Sequence, residues 1–179
     1  MTDPHRPCTG IVTDRRFLDH VMGGSHVESP KRLEAIYAKI ERDISFPLDH
    51  ITPRPAAKEE ILFVHTDNHF TTIQQTAGRE YVMLDPDTST CAKSFDTALL
   101  AAGGTIEAAD AVMSGDIKNA FALIRPPGHH AEAGRAMGFC LFNNIAIAAE
   151  HLLRVCGSQK ILIVDWDLHH GNGTQHSFE

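Results

Sequence analysis

Two adjacent histidine pairs, His129-His130 and His169-His170, each follow an apolar run and sit among residues suited to proton transfer or metal binding. Imidazole exchanges protons near neutral pH, and a neighbouring carboxylate fixes its tautomer and raises its basicity. The second pair closes the string Asp165-Trp166-Asp167-Leu168-His169-His170. In an extended chain the side chains alternate, so Asp165, Asp167 and His169 share one face while Trp166, Leu168 and His170 share the other. Carboxylate oxygen and imidazole nitrogen suit zinc, whose catalytic sites take three protein ligands and keep one position for water. Asp167 and His169 are the candidate ligands, and Asp165, set further back, is placed to orient another group. This cluster supplies two ligands rather than three.

Taken singly, each of these residues reads as a turn-capping acid or a solvated imidazole. Two acids and two histidines closing one apolar run, with a second histidine pair after another such run, favour a shared site. The first pair follows Arg125-Pro126-Pro127-Gly128, whose prolines and glycine make a stiff, tightly turned loop.

The elements that must position these residues alternate between strand and helix. Gly10–Thr13 and His50–Thr52 read as short strands. Ser29 followed by Pro30 and the stripe Leu33, Ile36, Tyr37, Ile40 predicts a capped helix over 30–43. Residues 57–65 and 67–80 carry helix-forming composition, and 95–114 form a longer helical pattern closed by Gly115. Residues 120–124 predict a buried strand leading to the first histidine pair. Residues 143–156, stopped by Gly157, predict a helix, and 160–167 predict a second buried strand leading to the other pair. Such alternation implies a parallel sheet covered by helices, with ligands beyond the carboxyl ends of the strands, where both histidine pairs fall. The whole span 1–179 reads as one domain, with no internal repeat or linker.

A formal net charge of -7 argues against a direct nucleic-acid partner, because phosphate-binding faces cluster Lys and Arg. Cys8, Cys91, Cys140 and Cys156 lie far apart, without the spacing of a zinc ribbon or redox pair, and read as reduced thiols. The first residues lack the apolar stretch of a signal peptide, and no apolar run is long enough to span a bilayer. The expected location is therefore intracellular and cytoplasmic, with a nuclear location as the alternative in a eukaryote.

Three strings carry a family resemblance: Arg125-Pro-Pro-Gly-His-His-Ala131, Met137-Gly-Phe-Cys-Leu-Phe-Asn-Asn144 and Asp165-Trp-Asp-Leu-His-His-Gly-Asn-Gly-Thr-Gln175. Together they resemble the histone deacetylases, with class II character. His26-Val27-Glu28-Ser29-Pro30-Lys31-Arg32-Leu33 resembles an early family motif, with Val27 where proline is usual, and Leu84-Asp85-Pro86-Asp87-Thr88 resembles the substrate-rim segment. The resemblance implies a three-layer α/β/α fold with a mainly parallel sheet of the arginase/deacetylase kind. It makes Asp167 and His169 zinc ligands, His130 the general base and acid, His129 its electrostatic partner, Asp165 the partner of His129, and Asn172 the residue beside the second histidine. It also implies that Phe139 lines an acyl-lysine tunnel, the Gly138 carbonyl accepts the substrate amide, and Asp87 holds the substrate backbone. A structural potassium ion on backbone oxygens of Asp165, Asp167 and His169 is implied as well.

The implied reaction is zinc-dependent deacylation: the metal polarises the amide carbonyl and brings its water to a pKa of roughly 7, so that His130 deprotonates it and then protonates the leaving amine. The resemblance implies a longer enzyme, with a further metal-binding aspartate and an oxyanion-donating tyrosine in a later part. Tyr37 and Tyr81 lie too early for that role. The expected substrate is an acetylated lysine in a peptide or protein. An acetylated polyamine or other small acylated amine is the nearest rival, against which Trp166 and Leu168 lean toward the class II deacetylases. An acyl-lysine-binding scaffold without turnover is the alternative of another class. A two-metal arginase-type site is disfavoured because Gly171 stands where that pattern needs an aspartate.

Overall fold

Strand β1, Thr9–Val12, is apolar enough to be buried on both sides, and it lies at the centre of a parallel sheet of order β2-β1-β5. The computed structural model describes residues 9–24 and 26–179; the chain start and Cys8, read above from sequence, lie outside them. In register, Thr9 faces Leu48 of β2 (Leu48–Ile51) and Asn119 of β5 (Asn119–Ala122), and Val12 faces Ile51 and Ala122.

Parallel neighbours need crossover connections, and helices supply them. Between β1 and β2 runs α1, Lys31–Asp43, whose Leu33 is fully buried while Ile36, Tyr37 and Ile40 pack against the same core. Ile11 lies with Tyr37 and Ile40 on the α1 side of the sheet. Its neighbour Val12 faces the opposite side, where its Cγ1 sits beside Gly104 of α4, Ser94–Met113. Helices therefore cover both faces, giving the three layers expected. Helix α1 starts one residue later than its sequence suggests. Ser29 does not cap it through its side chain: Pro30 already has helical dihedrals, and the Ser29 carbonyl accepts the Arg32 N–H at 3.3 Å.

The two stretches expected to be helical, 57–65 and 67–80, form the shorter α2, Lys58–Ile61, and α3, Asp67–Gln74, separated where Thr66 turns the chain and its Oγ1 accepts the His69 N–H at 3.2 Å. A hairpin not anticipated from sequence follows, β3 (Val82–Asp85) paired antiparallel with β4 (Thr88–Thr90), with Asp87 in its turn. Helix α5, Asn144–Arg154, is capped by Asn143, whose Oδ1 accepts the Ala146 N–H at 3.2 Å. Gly115 and Gly157 stand at positive φ just past α4 and α5, where the sequence placed helix stops. Buried Ile106, Phe142 and Ile147 join these two helices to α3 in a second core. The last helix is α6, Asn172–Phe178.

One expected element does not form. Residues 160–167 have the composition of a buried strand, yet they pair with no strand among the described residues, and Leu162, Trp166 and Leu168 are 86%, 90% and 93% exposed. A parallel strand is held by ladder partners and by cover on both faces, and neither is present beside this segment. Among the described residues no helix is long and apolar enough to cross a membrane.

Candidate active site

The loop after β5 is anchored by an arginine rather than by its prolines alone. Arg125 is fully buried. Its Nε and Nη2 donate to Glu28 Oε1 and Oε2, each at 2.6 Å, while Nη1 donates to the Phe17 carbonyl at 3.0 Å and Nη2 to the His20 carbonyl at 2.9 Å. A planar guanidinium suits such a two-point carboxylate contact, and a buried charge requires one. Four and five residues further on, the loop delivers His129 and His130 with ring centroids 4.1 Å apart.

Each imidazole has a partner carried by the 165–172 segment. His129 Nδ1 meets Asp165 Oδ2 at 2.8 Å, and His130 Nδ1 meets Asn172 Oδ1 at 2.7 Å. An amide oxygen and a carboxylate only accept, so both Nδ1 atoms donate, and in the neutral form of either ring Nε2 is the nitrogen that keeps the lone pair. The Asn172 orientation is fixed from its other end, because its Nδ2 donates to Glu132 Oε1 and to the His130 carbonyl. Glu132 in turn meets His176 Nδ1 at 3.0 Å. Burial acts to raise the Glu132 carboxyl, but the Asn172 and His176 contacts outweigh it, leaving its pKa below the ordinary value.

Asp165 has the same balance. Burial raises it, the His129 bond and the Asp167 N–H lower it further, and the net shift is downward. Gly171 makes room for this pair, since a Cβ there would run into Asp165 Oδ2 and lie 3.3 Å from His129 Nδ1.

Asp167 and His169, the expected zinc ligands, lie side by side in a tight turn. The Asp167 Oδ1 accepts the His169 N–H at 2.7 Å and lies 3.1 Å from His169 Nδ1. The backbone bond from His169 is the main reason the Asp167 carboxyl lies below its ordinary pKa. The His169 ring centroid is 5.9 Å from that of His130, so the two distant histidine pairs meet as the sequence requires of a shared site. Two ligands on zinc at about 2.0–2.1 Å span about 3.3 Å in a tetrahedron, close to the Asp167–His169 separation. The donor set thus fits zinc for two ligands. Among the described residues no third His, Cys, Asp or Glu closes the set.

The residues expected at the substrate rim, Asp87, Gly138 and Phe139, assemble around the β3–β4 turn. Asp87 Oδ1 accepts the Gly138 N–H at 3.2 Å, and Thr88 Oγ1 accepts the Phe139 N–H at 2.9 Å. His26 binds the Asp87 carbonyl at 3.2 Å and packs edge-on against Phe139, with centroids 4.7 Å apart. Gly138 and Phe139 both have positive φ, 55° and 69°. A Cβ on Gly138 would lie 2.7 Å from His130 Cγ, so this glycine lets the backbone close over the imidazole. The Gly138 carbonyl already accepts the Cys140 thiol at 3.2 Å. Cavities of about 800 Å³ and about 470 Å³ both reach Asp165 and Asp167, and neither includes His130 or Phe139.

Sequence reasoning named most of these side chains but passed over Glu132, His176 and the fit of Gly138 and Gly171. Glu132 follows the histidine pair by two residues, and a carboxylate so close to two imidazoles was the available signal.

Comparison with known proteins agrees with this geometry. The histone deacetylase domain profile matches residues 26–179. Histone deacetylase 15 of Arabidopsis thaliana is 43% identical over 177 residues, covering 96% of this chain and 32% of the relative. A probable deacetylase of Archaeoglobus fulgidus is 40% identical, covering 95% of this chain and 48% of the relative. Polyamine deacetylase HDAC10 of Rattus norvegicus is 39% identical, with 86% and 27% covered. The crystal structure of the HDA15 HD domain superposes with a TM-score of 0.91 at 42% identity, covering 97% of this chain and 51% of that one. The chain therefore spans between about a quarter and a half of these proteins, and its α/β fold is of the arginase/deacetylase kind. By its sequence, its sheet and the match over residues 26–179, the chain belongs to the histone deacetylase family.

Proposed function

We propose that this site belongs to a zinc-dependent deacylase that removes the acetyl group from lysine side chains of proteins. The observation that carries the reading is the pairing of the two histidines: Nδ1 of His129 meets Asp165 and Nδ1 of His130 meets Asn172, which turns Nε2 of His130 away from both partners, beside His169. His130 takes a proton from the attacking water at Nε2 and returns it to the leaving amine. The Asp165 carboxylate, bonded to His129, supplies the negative charge that stabilises the imidazolium formed between those steps. Asp167 and His169 would hold the zinc, which supplies Lewis-acid polarisation of the amide when bound. Backbone oxygens of Asp165, Asp167 and His169 are assigned to potassium on the family resemblance. Asp87 anchors the substrate backbone, Gly138 accepts its amide N–H, and Phe139 flanks the acyl-lysine side chain.

A small acylated amine is the second reading, favoured by the similarity to a protein named as a polyamine deacetylase. The test supplies zinc-loaded protein with acetyl-lysine peptide and with N-acetylated polyamine and measures acetate release. Faster turnover of the peptide, abolished by His130→Ala and Asp167→Asn, supports the proposal. Preference for the polyamine moves the assignment to the second reading. Acetyl-lysine binding at full zinc occupancy without acetate release would replace both with a binding module.

A further inference from the structure

We propose that Asp110, His151 and Cys156 form a second divalent-metal site, of the borderline-soft kind that zinc prefers, pinning the end of α4 to the end of α5. The three ligand atoms lie within 4.8 Å of one another. Two of them converge on one oxygen, with His151 Nε2 at 2.8 Å and Cys156 Sγ at 3.4 Å from Asp110 Oδ1. Tetrahedral zinc separates an oxygen from a nitrogen ligand by about 3.3 Å and from a sulfur ligand by about 3.5 Å. The sulfur is therefore already at range, and the His151–Asp110 contact needs to open by only about half an ångström.

His151 is 6% exposed and presents Nε2 to Asp110 Oδ1, so a buried imidazole nitrogen is already aimed at the site. Cys156 is exposed, leaving a path for the ion and a position for a water. Without metal, burial and the Asp110 carboxylate keep the thiol above its ordinary pKa. A bound dication reverses that preference: the thiol proton leaves to solvent as the sulfur–metal bond forms. One carboxylate, one thiolate and one neutral imidazole then balance the charge of the ion.

This site is separate from the one described above. Helix α4 leads into the start of β5, so Asp110 lies toward the amino end of that strand, whereas His129 and His130 follow its carboxyl end. It also differs in chemistry, because Asp167 and His169 offer no sulfur.

That difference makes a direct test. Titration of the purified 179-residue chain with Co2+ under a non-thiol reductant is expected to produce a thiolate-to-cobalt charge-transfer absorption, displaced by Zn2+. The band should persist in a Cys8→Ser/Cys91→Ser variant and in Asp167→Asn, and should vanish in Cys156→Ser and weaken in Asp110→Asn. Circular dichroism of the metal-free Cys156→Ser chain should match the parent, since the residue is exposed. No band from a folded chain, or a band that survives Cys156→Ser, overturns the proposal and leaves His151–Asp110 as a helix-to-helix bridge. Neither outcome depends on whether the protein deacetylates anything.

Discussion

Glu28 and Arg125 meet through two bonds of 2.6 Å across 97 residues of sequence, both side chains almost without solvent contact. The pair ties the segment before α1 to the loop that carries the histidine pair. Removing one partner strands a buried charge, and Glu28→Gln is expected to lower stability by about 3–5 kcal/mol. Arg125→Lys should cost nearly as much, because an ammonium cannot make four contacts in fork geometry. Urea unfolding of both variants measures this; a loss below about 1 kcal/mol would show that solvent reaches the pair.

Gly138→Ala should disturb the histidine pair before it disturbs the fold. Its Cβ would meet the His130 ring, and φ of 55° is unfavourable to any side chain. A cost of about 1–3 kcal/mol is expected, together with a displaced His130 ring signal in the NMR spectrum. An unchanged His130 resonance would contradict the close approach.

Acid should weaken the fold through histidines other than the His129–His130 pair. Burial pushes His65 down to about 3 and His20 down to about 4, and it also lowers His69. His65 is satisfied as a neutral ring, with Nδ1–H donating to the Glu132 carbonyl at 2.9 Å and Nε2 accepting the Asn143 N–H at 2.9 Å. Because the folded pKa values lie below the unfolded value of about 6.5, the unfolded chain binds more protons between those limits. Their contribution is fully present above about pH 6.5 and is lost as the pH falls toward 3. Near pH 4.5 each of His65 and His20 should cost about 2 kcal/mol. Urea midpoints across that range should fall less steeply in His65→Gln than in the parent.

Trp166 is the single tryptophan and is 90% exposed. Its emission should therefore be that of indole in water, and acrylamide should quench it almost as well as it quenches free tryptophan. A blue-shifted, protected emission would mean that the segment is covered in solution.

Periodicity made α1, α4 and α5 legible, because each owes its helicity to an apolar stripe written in consecutive residues. The residues that meet in the site were readable because three dense motifs carry nearly all of them. Two features were not. The run Ile161–Val164 has strand composition, but a strand exists only where a neighbour completes its ladder, and composition does not report the neighbour. Glu28–Arg125 and Glu132–Asn172 are contacts between distant segments, and a lone glutamate carries no mark of the partner it will find.

The unpaired stretch that bears Asp165, Asp167 and His169 borrows its order from the groups it presents. With no ladder to hold it, its described anchors include the Asp165–His129 bond, the Asp167–His169 turn and the seating of α6 behind them. Under the proposed function, chemistry and scaffolding would coincide there. A substitution meant to silence the proposed reaction, such as Asp165→Ala, would also unmoor the polypeptide around it, and an inactive variant of this kind would report lost architecture as much as lost reactivity.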